Sequence, residues 1–167
     1  YYDLITALRQ PESHGEVDAE LKPALKELDS LFKGRVHHKG DGDFEYRRGS
    51  ERYGMTQTAE GIKKISSLAQ LVRSRQIQKG SILFFDEPSA NLHPRATLDV
   101  VELLFKMTRA DIQIFIATHS YEVLKQLEIL AREHEESVPL CVLTPSEENG
   151  VTAEYADLRD RIPSNSI

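Results

Sequence analysis

The chain has 167 residues, 40% hydrophobic and 29% charged, the balance of one globular domain long enough to bury a core. Its formal net charge of −6 gives no global attraction to nucleic acid, and no apolar run approaches the ~18 residues that a membrane span needs. The single cysteine, Cys141, lies in the apolar stretch PLCVLTP; this predicts a buried, unpaired thiol, a reducing cytoplasmic compartment and no cysteine metal site.

In chain order, DAELKPALKELDSLFKG places Leu21, Leu25, Leu28, Leu31 and Phe32 at helical spacing and ends on Gly34. RVHHKGDGDFEYRR reads as a hairpin turning at Asp41-Gly42, and Gly49 to Thr56 as a loop. From Thr58 to about Gln76 the helical period returns. Ala59, Ile62, Ile65, Ala69 and Val72 share its apolar face, with Lys63, Lys64 and Arg73 polar. SILFFDEP is a short continuous apolar run that suits a strand covered on both faces. A helix then runs from Pro94, a favourable first-turn residue, to about Arg109, with a solvated stripe of Arg95, Asp99, Glu102, Lys106 and Arg109. DIQIFIATHS reads as a second buried strand, SYEVLKQLEILARE as another amphipathic helix, VPLCVLTP as a third apolar strand and NGVTAEYADL as a last one. Alternating strands and helices predict an α/β domain with a parallel sheet.

Ligands of open α/β sheets bind beyond the carboxyl ends of the strands. Two polar clusters stand at such ends: Asp86-Glu87 after ILFF, and Thr118-His119-Ser120 after IFIA. A right-handed βαβ crossover would bring them to one edge. An acid there can hold magnesium, an adjacent acid can accept a proton from an attacking water, and a neighbouring histidine can hydrogen-bond a phosphate oxygen. These are parts for metal-assisted phosphate hydrolysis. The bland alternatives are a turn leading into a helix, with its acids favoured by the helix dipole, and a Ser120 N-cap beside a solvated histidine. Finding both clusters at consecutive strand ends favours the chemical reading. His37, His38 and His93 do not form a metal set with one another, and the basic RRGSER is weak evidence for nucleic acid against the acidic background.

ILFFDEPSANLHP resembles the Walker B motif and following D-loop of ABC-type ATPases, and its LHP ending resembles the soluble AAA-like branch that includes the OLD-family proteins. IFIATHS is similar to that family's switch-histidine segment, and TAEGIKKISSLAQLV to its signature motif and helix. The resemblance covers about Leu25 to the C-terminus. It implies a P-loop NTPase-like sheet flanked by helices, an ATPase using ATP and Mg2+, and a second ATPase head as partner. It further implies that Asp86 supports magnesium, Glu87 is the general base and His119 senses the γ-phosphate. Ser89, Ala90 and Asn91 would form the D-loop. Thr58, Ala59, Gly61 and Lys63 would present the signature helix to the partner's nucleotide, consistent with anion binding at a helix N-terminus. Ala59 stands where the pattern usually has serine, which removes one hydroxyl contact. Gly61 also has a bland reading, as a close-packing residue in an ordinary helix.

No G-x-x-x-x-G-K-[ST] phosphate loop occurs in the 167 residues. Together with a first residue that is not methionine, this gives the expectation of a C-terminal part of an ATPase head. Residues 1–57 would form a helical and hairpin arm, and residues 58–167 the signature, Walker B and switch-histidine core. The resemblance places the strand leading to a phosphate loop between the segments around Ile112–Ala117 and Leu140–Thr144, so those two would have open edges here. The function expected is ATP hydrolysis that drives a partner activity, a nuclease or DNA-handling effector, with no membrane. The alternatives are a nucleotide-dependent interaction module without useful turnover, and the nucleotide-binding subunit of a transporter. The residues upstream of Tyr1 would discriminate between turnover and clamping.

Overall fold

The structure, a computed structural model, describes residues 6–10, 16–32, 34–38, 44–54, 60–147 and 150–163. The Asp41-Gly42 turn, Thr58 and Ala59 lie outside the described residues. In chain order the elements are α1 (Lys22–Phe32), β1 (Arg35–His38), β2 (Phe44–Arg48), β3 (Glu51–Gly54), α2 (Glu60–Arg73), β4 (Ile82–Asp86), α3 (Pro94–Thr108), β5 (Gln113–Ala117), α4 (Tyr121–Glu133), β6 (Pro139–Ser146) and β7 (Gly150–Asp157). They form three sheets: an antiparallel β1-β2-β3 sheet, a parallel β4-β5 pair and an antiparallel β6-β7 pair.

Strand β3 lies within the segment expected to be a loop. Gly49 adopts φ +59, a conformation that glycine reaches at no steric cost. With Ser50 it makes a two-residue turn that returns the chain onto β2, pairing Arg48 with Glu51 and Tyr46 with Tyr53. The polar composition of ERYG hid a strand that gains its place from cross-strand pairing.

The core has two parts that share α3. Leu21, with Ala24 and Leu28 of α1 and Ile65, Leu68 and Val72 of α2, packs against Val100, Leu103, Leu104 and Met107 of α3. On its other flank, Val101 and Phe105 meet Val123, Leu127 and Leu130 of α4 and Leu158. Each such fully buried aliphatic side chain stabilises the fold by roughly 1.5–3 kcal/mol relative to exposure. The apolar stripe of α3 therefore sets the position of every layer around it. Its polar stripe is laced by Arg95–Asp99 at 3.3 Å and Lys106–Glu102 at 2.8 Å. Arg73, expected on the polar face of α2, is instead buried and paired with Asp29 of α1.

Strands β4 and β5 are covered on one face only. Leu83, Phe85, Ile114 and Ile116 pack inward on the helices, whereas Phe84 is 75% and Phe115 47% exposed. The two exposed rings stack at 5.0 Å. The expectation of two-sided burial fails because α2 and α3 lie on the same side, and no described residue covers the other. Cys141 is likewise exposed rather than buried. Along β6, Leu140 and Val142 turn inward, and strand alternation points Cys141 the other way.

Among the described residues β5 and β6 do not pair. Between them lies a cleft of about 990 Å³, lined by β5 from Ile112 to His119 and by the segment from Glu136 to Pro145, with Leu104, Leu124 and Leu127 among its other walls.

Candidate functional site

The parallel register pairs Phe85 with Ile116 and Asp86 with Ala117, so both strands end level. The Glu87 N–H continues the ladder by donating to the Ala117 carbonyl at 2.8 Å. Glu87 then turns at φ +46, a left-handed conformation that costs a non-glycine residue roughly 1–2 kcal/mol. The turn takes its side chain to the neighbouring strand end. There, Glu87 Oε1 accepts the His119 backbone N–H at 3.0 Å and meets the His119 Nδ1 at 2.7 Å. The Thr118 hydroxyl donates to Oε2 at 3.2 Å and accepts the Ser120 N–H at 3.1 Å. The two polar clusters thus meet through one carboxylate.

Burial pushes the Glu87 carboxyl up, but the hydrogen bonds from the His119 ring and backbone, the charge of that ring and the Thr118 hydroxyl outweigh it. The carboxyl is held below its ordinary range and is ionised at neutral pH. The His119 ring itself is 91% exposed. Ser120 caps α4 by accepting the Val123 N–H, so His119 sits at the junction of strand and helix.

Asp86 ends β4 with its side chain exposed. Among the described residues no group of three His, Cys, Asp or Glu could hold a metal ion by protein ligands alone. Magnesium, however, retains several waters and takes one or two carboxylates together with substrate phosphates. One exposed carboxylate at a strand end fits an ion that arrives with a nucleotide.

Ser89, Ala90 and Asn91, expected to form a D-loop, lie in the turn after Glu87. Ala90 N–H donates to the Glu87 carbonyl at 3.1 Å and Leu92 N–H to the Ser89 carbonyl at 3.1 Å. Asn91 adopts φ +61, a conformation that asparagine tolerates better than most residues. Ala90 and Asn91 face solvent, and Ser89 is half-buried. Gly61, in the first turn of α2, is buried against this turn: a Cβ there would lie 2.6 Å from the Asn91 carbonyl oxygen and would also strike Leu92. Lys63 pairs with Glu60 on the same helix.

Two contributions were missed in the sequence. Thr118 was grouped with His119 without a role, and its hydroxyl engages Glu87. Lys64, read as part of the polar face of α2, donates to the Asp86 carbonyl and, at 2.6 Å, to the Glu87 carbonyl. Burial pulls its ammonium down, against the charges of Asp86 and Glu87. The only signal was its spacing: Lys64 lies three residues after Gly61, hence on the same helix face.

Residues 13–125 match the family described as "AAA domain, putative AbiEii toxin, Type IV TA system". The chain belongs to this AAA-domain family. A curated relative, the Old nuclease of Escherichia phage P2, is 30% identical over 115 residues, which span 65% of this chain and 20% of that protein. The chain therefore matches only about a fifth of the length of that relative. Among solved structures, an Smc head bound to the C-winged helix domain of ScpA aligns over 95% of this chain and 54% of its own, with a TM-score of 0.59 at 12% identity. A Pyrococcus furiosus Smc head with an extended coiled coil, bound to the C-terminal domain of ScpA, aligns over 86% of this chain and 36% of its own, with a TM-score of 0.56 at 12% identity. A structure from work on SMC ATPases aligns over 85% of this chain and 89% of its own, with a TM-score of 0.51 at 11% identity. These likenesses establish the fold, the one seen in these Smc heads. The family match places the chain among AAA domains, and the relative is similar to it over part of its length.

Proposed function

We propose that this chain supplies the Walker B, D-loop, switch-histidine and signature parts of a head that binds and hydrolyses Mg-ATP as a dimer, and that turnover drives a nuclease or other DNA-handling effector. The observation that carries this reading is the Glu87 carboxylate held between Thr118 and His119 at the ends of two parallel strands, directly after the exposed acid Asp86. Asp86 would hold magnesium, which when bound neutralises charge on the nucleotide's phosphate oxygens. The two oxygens of Glu87 divide the work. Oε1 orients His119 through the ring and backbone, and Oε2, engaged among the described residues by a hydroxyl at 3.2 Å, accepts the proton of the attacking water. With Nδ1 on Glu87, His119 keeps Nε2 for a γ-phosphate oxygen.

The 167 residues hold no phosphate loop, so the phosphate cradle has to come from outside them. The cleft between β5 and β6 suits an extended segment that pairs with both strands and ends beside Thr118 and His119. The start of α2, with Thr58, Ala59, Gly61 and Lys63, and the D-loop residues Ser89 and Asn91 would face the second head. Residues 1–57 would serve as the arm of the head and residues 58–167 as its core. SMC ATPases, the class of one structural neighbour, show ATP-driven dimerisation and DNA-stimulated activation, and the matched relative is named a nuclease. Both support the partner assignment. No described helix is long and apolar enough to cross a membrane.

The test uses this chain supplied with a phosphate-loop segment. Glu87→Gln should retain Mg-ATP binding, lose at least ~10²-fold in turnover and accumulate as an ATP-bound dimer on size-exclusion chromatography. Undiminished turnover would remove Glu87 from the mechanism. A second reading, a nucleotide-dependent clamp without useful turnover, is favoured by one observation. The bonds that hold Glu87 below the ordinary carboxyl range also make it a weaker base. Dimerisation on ATP with no phosphate release from the wild-type protein would select that reading.

A further inference from the structure

Glu87 meets Thr118 and His119 from a backbone that turns left-handed, and that turn has to be held. Its carbonyl accepts the Ala90 N–H at 3.1 Å and the Lys64 ammonium at 2.6 Å. The same ammonium reaches the Asp86 carbonyl. One cation therefore gathers two successive carbonyls at the point where the strand becomes the turn. The Lys64 ammonium also stands 4.9 Å from the centroid of the Phe85 ring, so its position is defined from both sides. One helical turn earlier, Gly61 lets the backbone of α2 approach Asn91 and Leu92. Without that approach the lysine would stand further from the two carbonyls.

We propose that Lys64 is a positioning residue for Glu87, clamping the Asp86 and Glu87 carbonyls so that the Glu87 carboxylate stays on Thr118 and His119. Its catalytic consequence rests on reading Glu87 as the base; its structural consequence does not. A charged donor onto a carbonyl is among the stronger hydrogen bonds, and here it acts at a residue whose conformation is otherwise unfavourable. Lys63, its neighbour, pairs with Glu60 instead and serves as the control.

The test compares Lys64→Met, which keeps the length and removes the donor, with Lys64→Arg, which keeps a donor, and with Lys63→Met. The His119 amide reports the clamp because it donates to Glu87 Oε1. In Lys64→Met its hydrogen exchange should accelerate about tenfold or more, while amides inside the β4-β5 ladder exchange as in the wild type. Lys64→Arg should restore protection and Lys63→Met should not disturb it. With a phosphate-loop segment supplied, Lys64→Met should lower kcat about tenfold at unchanged KM, the signature of an interaction lost at the chemical step. Unchanged His119 exchange in Lys64→Met overturns the proposal, as does a uniform loss of protection through β4 and β5, which would mean a general loss of structure. Should His119 exchange respond while Glu87→Gln turns over normally, the clamp stands and the assignment of Glu87 as base fails.

Discussion

Gly61→Ala separates packing from chemistry at the start of α2. The added Cβ would sit 2.6 Å from the Asn91 carbonyl oxygen, a backbone atom in a turn whose residues are already bonded to one another, so helix and turn must move apart. Forcing a methyl group into a packed site costs about 1–3 kcal/mol. Against this, alanine gains up to ~1 kcal/mol of helix propensity over glycine, and less at the second position of the helix than in its interior. The balance is a destabilisation of about 1–2 kcal/mol. For a chain of this length that corresponds to a melting temperature lower by roughly 2–8 °C, measured by calorimetry without nucleotide. An unchanged or higher melting temperature would show that Gly61 is not required for the approach of α2 to the D-loop, and would leave contact with the partner's nucleotide as its only role.

His119→Ala should lower turnover while moving the melting temperature by less than about 4 °C, because a largely exposed ring contributes little packing and its polar contact only ~0–1 kcal/mol; a large loss of stability with normal turnover would make the residue structural. In the same variant the Glu87 carboxyl should titrate higher than in the wild type, since the hydrogen bond and charge of the His119 ring that lower it are gone while the backbone bond stays; carboxyl carbon shifts measured against pH check the direction. Because the folded-state value of Glu87 is depressed, its contribution to stability is complete above the ordinary carboxyl value of 4.5 and is lost as the pH falls through the lowered one. The difference in urea midpoint between wild type and Glu87→Gln should therefore be flat near neutrality and shrink in acid, and a difference that instead grows in acid would reverse the sign of this argument. Phe84→Ser should reduce dye binding to exposed apolar surface and leave the melting temperature nearly unchanged, given its exposure; a marked loss of stability would mean that this face is covered in solution.

Much of the site was legible because its chemistry interrupts strong patterns. Two acids directly after ILFF, and a threonine and histidine directly after IFIA, are polar groups at the ends of apolar runs, and parallel pairing brings such ends together. The helices were legible for the same reason: Ile65, Ala69 and Val72 recur on one face, and Pro94 and Ser120 mark where helices start. What was hidden depends on neighbours rather than on pattern. An apolar run says that Phe84 and Phe115 favour burial, but which faces are covered depends on where the helices lie. Strand β3 is four largely polar residues, ordered by pairing with β2 and by a turn at Gly49. Lys64 reads as one more charge on an amphipathic helix, because nothing in local periodicity tells a solvated lysine from one that caps two carbonyls. The left-handed turn at Glu87 has no signal at all, since glutamate is not a residue that favours it.

The geometry around Glu87 depends on a small part of the sheet. The register of β4 against β5 places Asp86 opposite Ala117, and the next bond of the ladder, Glu87 N–H to Ala117 carbonyl, fixes where the chain leaves the strand. A slip of one residue would send Phe85 and Ile116 to the outer face and turn Phe84 and Phe115 inward, exchanging the whole buried set. The packing of Leu83, Phe85, Ile114 and Ile116 on α2 and α3 therefore fixes the carboxylate as well as the core. None of this requires a strand between β5 and β6. The carboxylate, the histidine and the threonine can be assembled while the edge of β5 stays open. The groups that grip phosphate, a glycine-rich loop and a lysine, are absent from the sequence. On the proposed function, catalytic orientation and nucleotide affinity would thus be carried by separable segments. Binding at the open edge of β5 would then add the second to a site where the first is already set.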